Sequence, residues 1–304
     1  MTESQNIHPP LRLLIFGGRG FVGGIVARTA RQRGWGVCIA DTCAGPEVPA
    51  QQVDITDALA VERAIETVRP AAVVNVAAIA DIDRAERDQV LAYRVNVDGA
   101  RHIAERCARR GLRYVFFSSD AVFSGEAGPY GEDDPPAPLN YYGQTKAQAE
   151  QAVLQACPAA AVIRISLVLG YPVAGGNAFF THLEEKLKRG APLAFPTAEI
   201  RTPVDVATLA ECVLELCQND YAGVLHIGAT GSLSRYALAQ ELARRMGFDP
   251  ALVRPQPPGA AAPGRAPRHR NGILRVGRAR QVLRTPFPGL DETIDRAFTP
   301  APPG

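Results

Sequence analysis

A doubly wound α/β fold, a parallel sheet with helices on both faces, is what this sequence predicts, and three observations predict it. Short apolar runs alternate with longer amphipathic stretches through the first half of the chain. A glycine-rich turn follows the first of those runs, and Tyr142 and Lys146 stand four residues apart after the fourth. Apolar runs this short and this rich in Val, Ile and Leu suit strands buried on both faces, and strands alternating with helices build a parallel sheet of the Rossmann type.

The elements follow in order. Leu11 to Phe16, Gly36 to Ala40, Ala72 to Val76, Leu112 to Phe117 and Ala160 to Ile165 read as buried strands. Phe21 to Arg33, Asp57 to Val68, Asp88 to Arg110 and Asn140 to Ala156 read as the helices between them. After Ile165 the regularity loosens. Phe179 to Arg189, Pro203 to Gln218 and Ser234 to Met246 read as helices, the last with Ser234 as N-cap, and Val224 to Ile227 as a strand. Gly170 to Asn177, Pro255 to Pro267 and the tail after Thr299 read as loops. The expected division is a dinucleotide-binding domain over 1–170, with 200–230 contributing, and a smaller interleaved lobe from 171–199 and 231–304.

Composition narrows the function classes. At 304 residues and 46% hydrophobic the chain can bury a large core, and a net charge of +2 is too balanced for nucleic acid or an anionic membrane to be the main partner. The local exception is a run of seven Arg plus His269 between Arg265 and Arg284. The six Cys (38, 43, 107, 157, 212, 217) form no CxxC pair and no metal-ligand spacing. With no signal-like N-terminus and no apolar stretch of membrane-spanning length, a cytoplasmic protein with no metal is expected.

The turn after the first strand carries Gly17, Gly20 and Gly23, with Arg19, Phe21 and Val22 between and beside them, and opens the first helix. Glycines there let the backbone approach a pyrophosphate, whose charge sits at the helix N-terminus. Asp41 ends the second strand, where a carboxylate binds a ribose 2′-hydroxyl and repels a 2′-phosphate. Arg19 argues the other way, since a guanidinium in the loop could neutralise that phosphate. The expected cofactor is NAD(H) or NADP(H), with NAD(H) favoured.

Positions i and i+4 share a helix face, so Tyr142 and Lys146 can act together. A cation about 4 Å from a phenol, at an effective dielectric of about 20, contributes roughly 4 kcal/mol towards the phenolate. The spacing therefore predicts a phenol brought within reach of acid–base chemistry near neutral pH by Lys146. Ser119, in the Ser118, Ser119, Asp120 stretch that ends the fourth strand, is the expected hydrogen-bond donor to a developing oxyanion.

Together the Gly17, Gly20, Gly23 turn, Asn75 to Ala78, Ser119 and the Tyr142/Lys146 pair resemble the extended short-chain dehydrogenase/reductase superfamily. The segments 81–86, 93–96, 118–125 and 138–146 look like its dTDP-4-dehydrorhamnose reductase branch, whose members include NADP-binding regulatory proteins of methionine adenosyltransferase. The resemblance spans Leu11 to Gln218, and more thinly to Phe298. It implies that Asp54 and Ile55 flank the adenine, that Ala77, Ala78 and Ile79 line the cofactor, and that Asn96 completes a tetrad with Ser119, Tyr142 and Lys146, acting through a water. It also implies that Lys146 holds the nicotinamide ribose. On the substrate side it implicates Ser119, Asp120, Asn177 and the late arginines, Arg268 and Arg270, as an anion clamp. Phe179 reads equally as core, and Asp205, after Arg201, as a helix cap.

The sequence departs from that branch at two places. Ala121 and Leu167 stand where the branch usually carries a Tyr and a Trp that touch the sugar, so both are expected to line a widened pocket. Ala121 also stands where related dehydratases place a catalytic Glu, which leaves dehydration without its carboxylate. The reading is an NAD(P)-dependent ketoreductase acting on a carbonyl of a sugar nucleotide or specialised metabolite, with Tyr142 as proton donor. A non-catalytic cofactor-binding regulatory protein and a sugar-nucleotide epimerase stay open as alternatives, as does a homodimer.

Overall fold

The computed structural model describes residues 11–43, 50–173, 179–258 and 264–299. Asn177 lies outside the described residues. The central sheet is built from β1 (Arg12–Phe16), β2 (Gly36–Asp41), β3 (Ala50–Gln52), β4 (Ala72–Asn75), β5 (Arg113–Ser119), β6 (Ala161–Ile165) and a seventh strand, Gly223–Ile227. Its order is β3-β2-β1-β4-β5-β6 and then the seventh strand, every pairing parallel. The order in which strands are added therefore reverses between β1 and β4, and the crevice outside their carboxyl ends is where such sheets bind dinucleotides.

Period-two alternation decides which core each side chain joins. Leu13 and Ile15 of β1 pack on one face with α1 (Phe21–Gln32) and the helix Val206–Leu216. Leu14 and Phe16 pack on the other with α2 (Ala58–Val68) and the helix Ala100–Arg110. A third cluster, Leu169, Phe180, Leu183, Leu238, Leu242 and Ile294 among it, lies outside the sheet. Phe179 packs on that cluster, edge-on to Phe195 at 5.7 Å.

Three differences from the sequence expectation have local causes. The helix expected over Asp88 to Arg110 is interrupted by a π-helical turn, Arg94–Gly99, where Gly99 comes so near Ile55 that a Cβ would lie 2.5 Å from its Cγ1. Inserted turns of this kind widen a helix where a functional group must be presented, and this one carries Asn96. The helix expected from Pro203 begins at Val206. Pro203–Asp205 instead pairs with Leu167–Leu169 as a strand, and the Asp205 carboxylate caps the helix by accepting from the Thr208 N–H at 2.8 Å. Short elements with too few residues to show a period, β3 and the helices Ile82–Arg87, Gly277–Val282 and Leu290–Phe298, escape the sequence reading.

Candidate active site

The glycine turn sits at the switch point. Gly17 has φ +78°, and a Cβ on it would lie 2.6 Å from the Ala77 nitrogen, so only glycine lets the turn lie against the segment after β4. A Cβ on Gly23 would overlap the Gly17 carbonyl oxygen. Gly20 caps α1 without any side-chain hydrogen bond, leaving the first N–H groups of that helix to a ligand. Ala77, Ala78 and Ile79 are half-buried beside this turn. The residues therefore fit a dinucleotide's pyrophosphate.

At the ribose end, the Asp41 carboxylate accepts the Arg19 N–H at 3.1 Å and the Thr42 N–H at 2.8 Å, so it also fixes the loop. Arg19 Nε and Nη2 are buried and have no partner among the described residues. Asp54 accepts the Thr56 N–H at 2.8 Å, and Ile55 is buried.

Ser119 ends β5, and Tyr142 and Lys146 lie on the helix Tyr141–Ala156. Asn140 starts that helix by accepting the Gly143 N–H at 2.9 Å. Gly143 then allows the helix to press on the turn after β5, since a Cβ there would overlap the Ala121 carbonyl. This docking brings the Tyr142 phenol close enough to Ser119 for the two to interact. Burial pushes the Tyr142 pKa up to about 12, with the Asp120 charge adding to it and the Ser119 hydrogen bond opposing.

Lys146 is buried, and its ammonium lies 4.4 Å from the centre of the Phe116 ring. Burial pulls its pKa down to about 7, opposed by Glu150 one turn further on. The expected lowering of the phenol by Lys146 is thus corrected: Lys146 is not among the groups that shift Tyr142, and desolvation decides both. Glu150 is itself gripped by Arg164, Nε to Oε1 at 2.8 Å and Nη2 to Oε2 at 2.6 Å, and accepts Ser118 at 2.5 Å.

Asn96 is held by three side-chain hydrogen bonds. Its Oδ1 accepts the Ile79 N–H at 2.8 Å, and its Nδ2 donates to Thr145 Oγ1 at 2.9 Å and to the Ile79 carbonyl at 3.2 Å. Both amide hydrogens are used, so Asn96 ties the segment after β4 to the helix that carries Tyr142. Arg268 is likewise corrected as a substrate clamp. Its guanidinium grips Asp83 at 3.0 and 2.9 Å, holding the late segment on the helix Ile82–Arg87. Arg270 is exposed and lines, with Arg265, Glu199 and Pro257, a cavity of about 230 Å³. Ala121 is 2% exposed and Leu167 packs on the third core cluster, so neither lies open in the way the expected widened pocket required.

Sequence reasoning missed a group around Asp120. Its Oδ1 accepts Ser119 at 3.1 Å, while Oδ2 accepts Ser166 at 2.5 Å and faces His269 Nε2 at 3.1 Å and Arg201 Nε at 3.6 Å. Burial would raise this carboxyl, but the His269, Arg201 and Ser166 interactions outweigh it and hold the pKa at about 2. Only the acidic residue following Ser119 was visible in advance; its partners lie 46, 81 and 149 positions away.

A nucleotide-binding turn at the switch point, joined to a Ser–Tyr pair and a buried Lys on the next helix, defines an NAD(P)-dependent oxidoreductase of the extended short-chain dehydrogenase/reductase class. Comparison with known proteins agrees. The family model for the RmlD substrate binding domain matches residues 11–301, and the chain belongs to that family. It is 36% identical over 250 residues to dTDP-4-dehydrorhamnose reductase of Mycobacterium tuberculosis, covering 80% of this chain and 78% of that one. It is also 36% identical over 251 residues, 81% and 83% of the two chains, to a probable dTDP-4,6-dihydroxy-2-methyloxan-3-one 4-ketoreductase of Streptomyces antibioticus. Among solved structures, dTDP-4-dehydrorhamnose reductase of Bacillus anthracis in complex with NADP superposes with a TM-score of 0.85 at 26% identity, over 95% of this chain and 99% of that one. No helix among the described residues is long and apolar enough to cross a membrane.

Proposed function

We propose that this protein reduces a ketone on a nucleotide-linked sugar, with Tyr142 giving the proton. The observation that carries the reading is the juxtaposition of Ser119, at the end of β5, with the Tyr142 phenol, one helical turn from buried Lys146. A bound reduced nicotinamide dinucleotide would supply the hydride. The Gly17 to Gly23 turn and Ala77 to Ile79 would hold that cofactor, and Lys146 would hold its ribose next to the reacting carbon.

Ser119 would hydrogen-bond the carbonyl oxygen as negative charge develops on it. Tyr142, protonated across the neutral range because burial and Asp120 hold its pKa at about 12, would then release its proton to a far more basic alkoxide. That protonation state supports reduction over oxidation, which needs a phenolate at the start. Asn96 would keep the segment after β4 and the Tyr142 helix in register. The 171–199 and 231–304 portions would supply most of the substrate's surroundings, a division supported by their shared apolar cluster.

The relatives' names support a 4-keto sugar on a thymidine diphosphate carrier. Purified protein mixed with NADH or NADPH and a panel of 4-keto-6-deoxyhexose nucleotides and simple ketones, followed by nicotinamide absorbance, tests this. Turnover confined to nucleotide-linked ketones is the expected outcome. No turnover with any ketone, alongside tight cofactor binding, would overturn it in favour of a regulatory role.

A further inference from the structure

We propose that His269, carried by the late segment 264–272, is a positioning residue for this reduction, setting the Asp120 carboxylate that in turn orients Ser119 against Tyr142. The inference rests on the ketoreductase reading. It starts from space. His269 is 3% exposed, and two glycines make room for it, Gly272 beside the ring and Gly125 beside its Cβ. A Cβ on Gly272 would lie 2.5 Å from His269 Nε2 and 2.7 Å from Asp120 Oδ2, inside the contact itself. A Cβ on Gly125, at φ +80°, would lie 2.7 Å from the His269 Cβ.

The ring is also held from behind. Arg201 Nη2 donates to the His269 carbonyl at 3.0 Å and Nη1 to the Arg270 carbonyl at 3.1 Å, and Asn271 N–H donates to the Gly125 carbonyl at 3.0 Å. What the ring meets is a carboxylate one residue from the proposed oxyanion donor. Asp120 uses Oδ1 on Ser119 and Oδ2 on Ser166, Arg201 and His269, so tilting the carboxylate to follow a lost His269 would move the acceptor that fixes the Ser119 hydroxyl. Among the described residues, His269 is the one side chain of the late segment with a polar contact to this carboxylate, and Gly272 packs beside it. Docking of that segment and alignment of the Ser–Tyr pair are therefore one event.

A positioning residue of this kind should act on kcat and leave the distant glycine turn alone. The test compares the unaltered protein with His269→Asn, His269→Gln and Gly272→Ala, reading kcat, KM for the ketone and Kd for the nicotinamide cofactor, with thermal unfolding to confirm that each variant folds. His269→Asn, too short to reach Asp120, should lose about tenfold in kcat, equivalent to roughly 1.4 kcal/mol of transition-state stabilisation, with cofactor Kd unchanged. His269→Gln, whose amide can reach, should recover most of that loss. Gly272→Ala should reproduce the loss with His269 in place, because its methyl enters the contact. Unchanged kcat in both His269→Asn and Gly272→Ala, or a Gln variant no better than Asn, overturns the inference while leaving the ketoreductase reading intact. Absence of turnover in the unaltered protein overturns the reading first, and this inference with it.

Discussion

The Lys146 ammonium faces the Phe116 ring at 4.4 Å, one turn below Tyr142 and one turn above Glu150. Burial dominates its titration with that carboxylate opposing, and burial acts on both members of the pair in opposite directions. It lowers the amine to about 7 and raises the phenol to about 12. Their ordinary order of titration, near 10.5 for Lys and 10.0 for Tyr, becomes widely separated. Between the two values the phenol keeps its proton and the amine does not.

Reduction should therefore decline as pH rises through about 7, the point where Lys146 loses the charge proposed to hold the ribose. Glu150→Gln removes the charge that favours protonated Lys146, so the decline should move to lower pH. Profiles of kcat/KM for both proteins test this, and a decline that begins only near pH 10 would contradict it. Folding stability runs the opposite way. The unfolded amine titrates near 10.5, so folding releases a proton between about 7 and 10.5, and this group's contribution to stability rises with pH across that window.

Tyr142→Phe should lower kcat by about 10²-fold or more, as loss of a general acid does, with cofactor affinity nearly unchanged. The phenol lies beside the end of β5, two strands along the sheet from β1 and the Gly17 turn that follows it, so the two readouts separate. Stopped-flow turnover beside a cofactor titration gives both. A Phe variant with normal kcat removes Tyr142 from the proton-transfer step.

The glycine turn gives a second separation, this time in binding. Gly17→Ala forces a methyl to within 2.6 Å of the Ala77 nitrogen at φ +78°, so either the turn or the segment after β4 must shift. Cofactor affinity should fall at least tenfold and stability by about 1–3 kcal/mol, the range for overpacking and strain. Isothermal titration and urea unfolding would register the two effects. At Gly34, also at φ +78° but with open space around it, alanine should spare cofactor binding.

How much of this was legible in the sequence follows from the range of the signals. β1 and β2 were readable as short unbroken apolar runs, and α1 and the Tyr141–Ala156 helix as longer mixed stretches that open on glycine or Asn140. The π turn at Asn96 was not, because it arises from packing of Gly99 on Ile55, a contact no local pattern encodes. The Ser–Tyr–Lys set was legible as a spacing, yet the sign of the Tyr142 shift was not, since spacing reports proximity and says nothing about desolvation. Arg268 misled for a similar reason. A run of arginines reads as a ligand clamp until the fold supplies Asp83 to one of them.

Two neighbours of opposite charge are proposed to set cofactor choice. Asp41 holds the Arg19 N–H and would repel a 2′-phosphate, whereas the Arg19 guanidinium, with buried Nε and Nη2 lacking partners among the described residues, would attract one. Arg19→Ala should weaken NADPH more than NADH, and Asp41→Asn should do the reverse. Kd values for both cofactors in both variants decide it, and parallel changes for the two cofactors would exclude these residues as the discriminator.

The buried pair Glu150–Arg164 bears on stability and on Lys146 together. Both residues are less than 5% exposed, and the guanidinium grips the carboxylate through two nitrogens while Ser118 adds a third hydrogen bond. Removing one partner strands a charge in a medium that solvates it poorly, which costs about 3–5 kcal/mol, whereas replacing both by apolar groups of similar size is often close to neutral. Glu150→Leu should thus unfold at clearly lower urea, and the double variant Glu150→Leu, Arg164→Met should recover most of that loss. The double variant also lacks the carboxylate that opposes the lowering of Lys146, so its turnover should decline at lower pH than the unaltered protein even where its stability is restored. Recovery of stability together with an unmoved pH profile would show that Glu150 serves the fold alone.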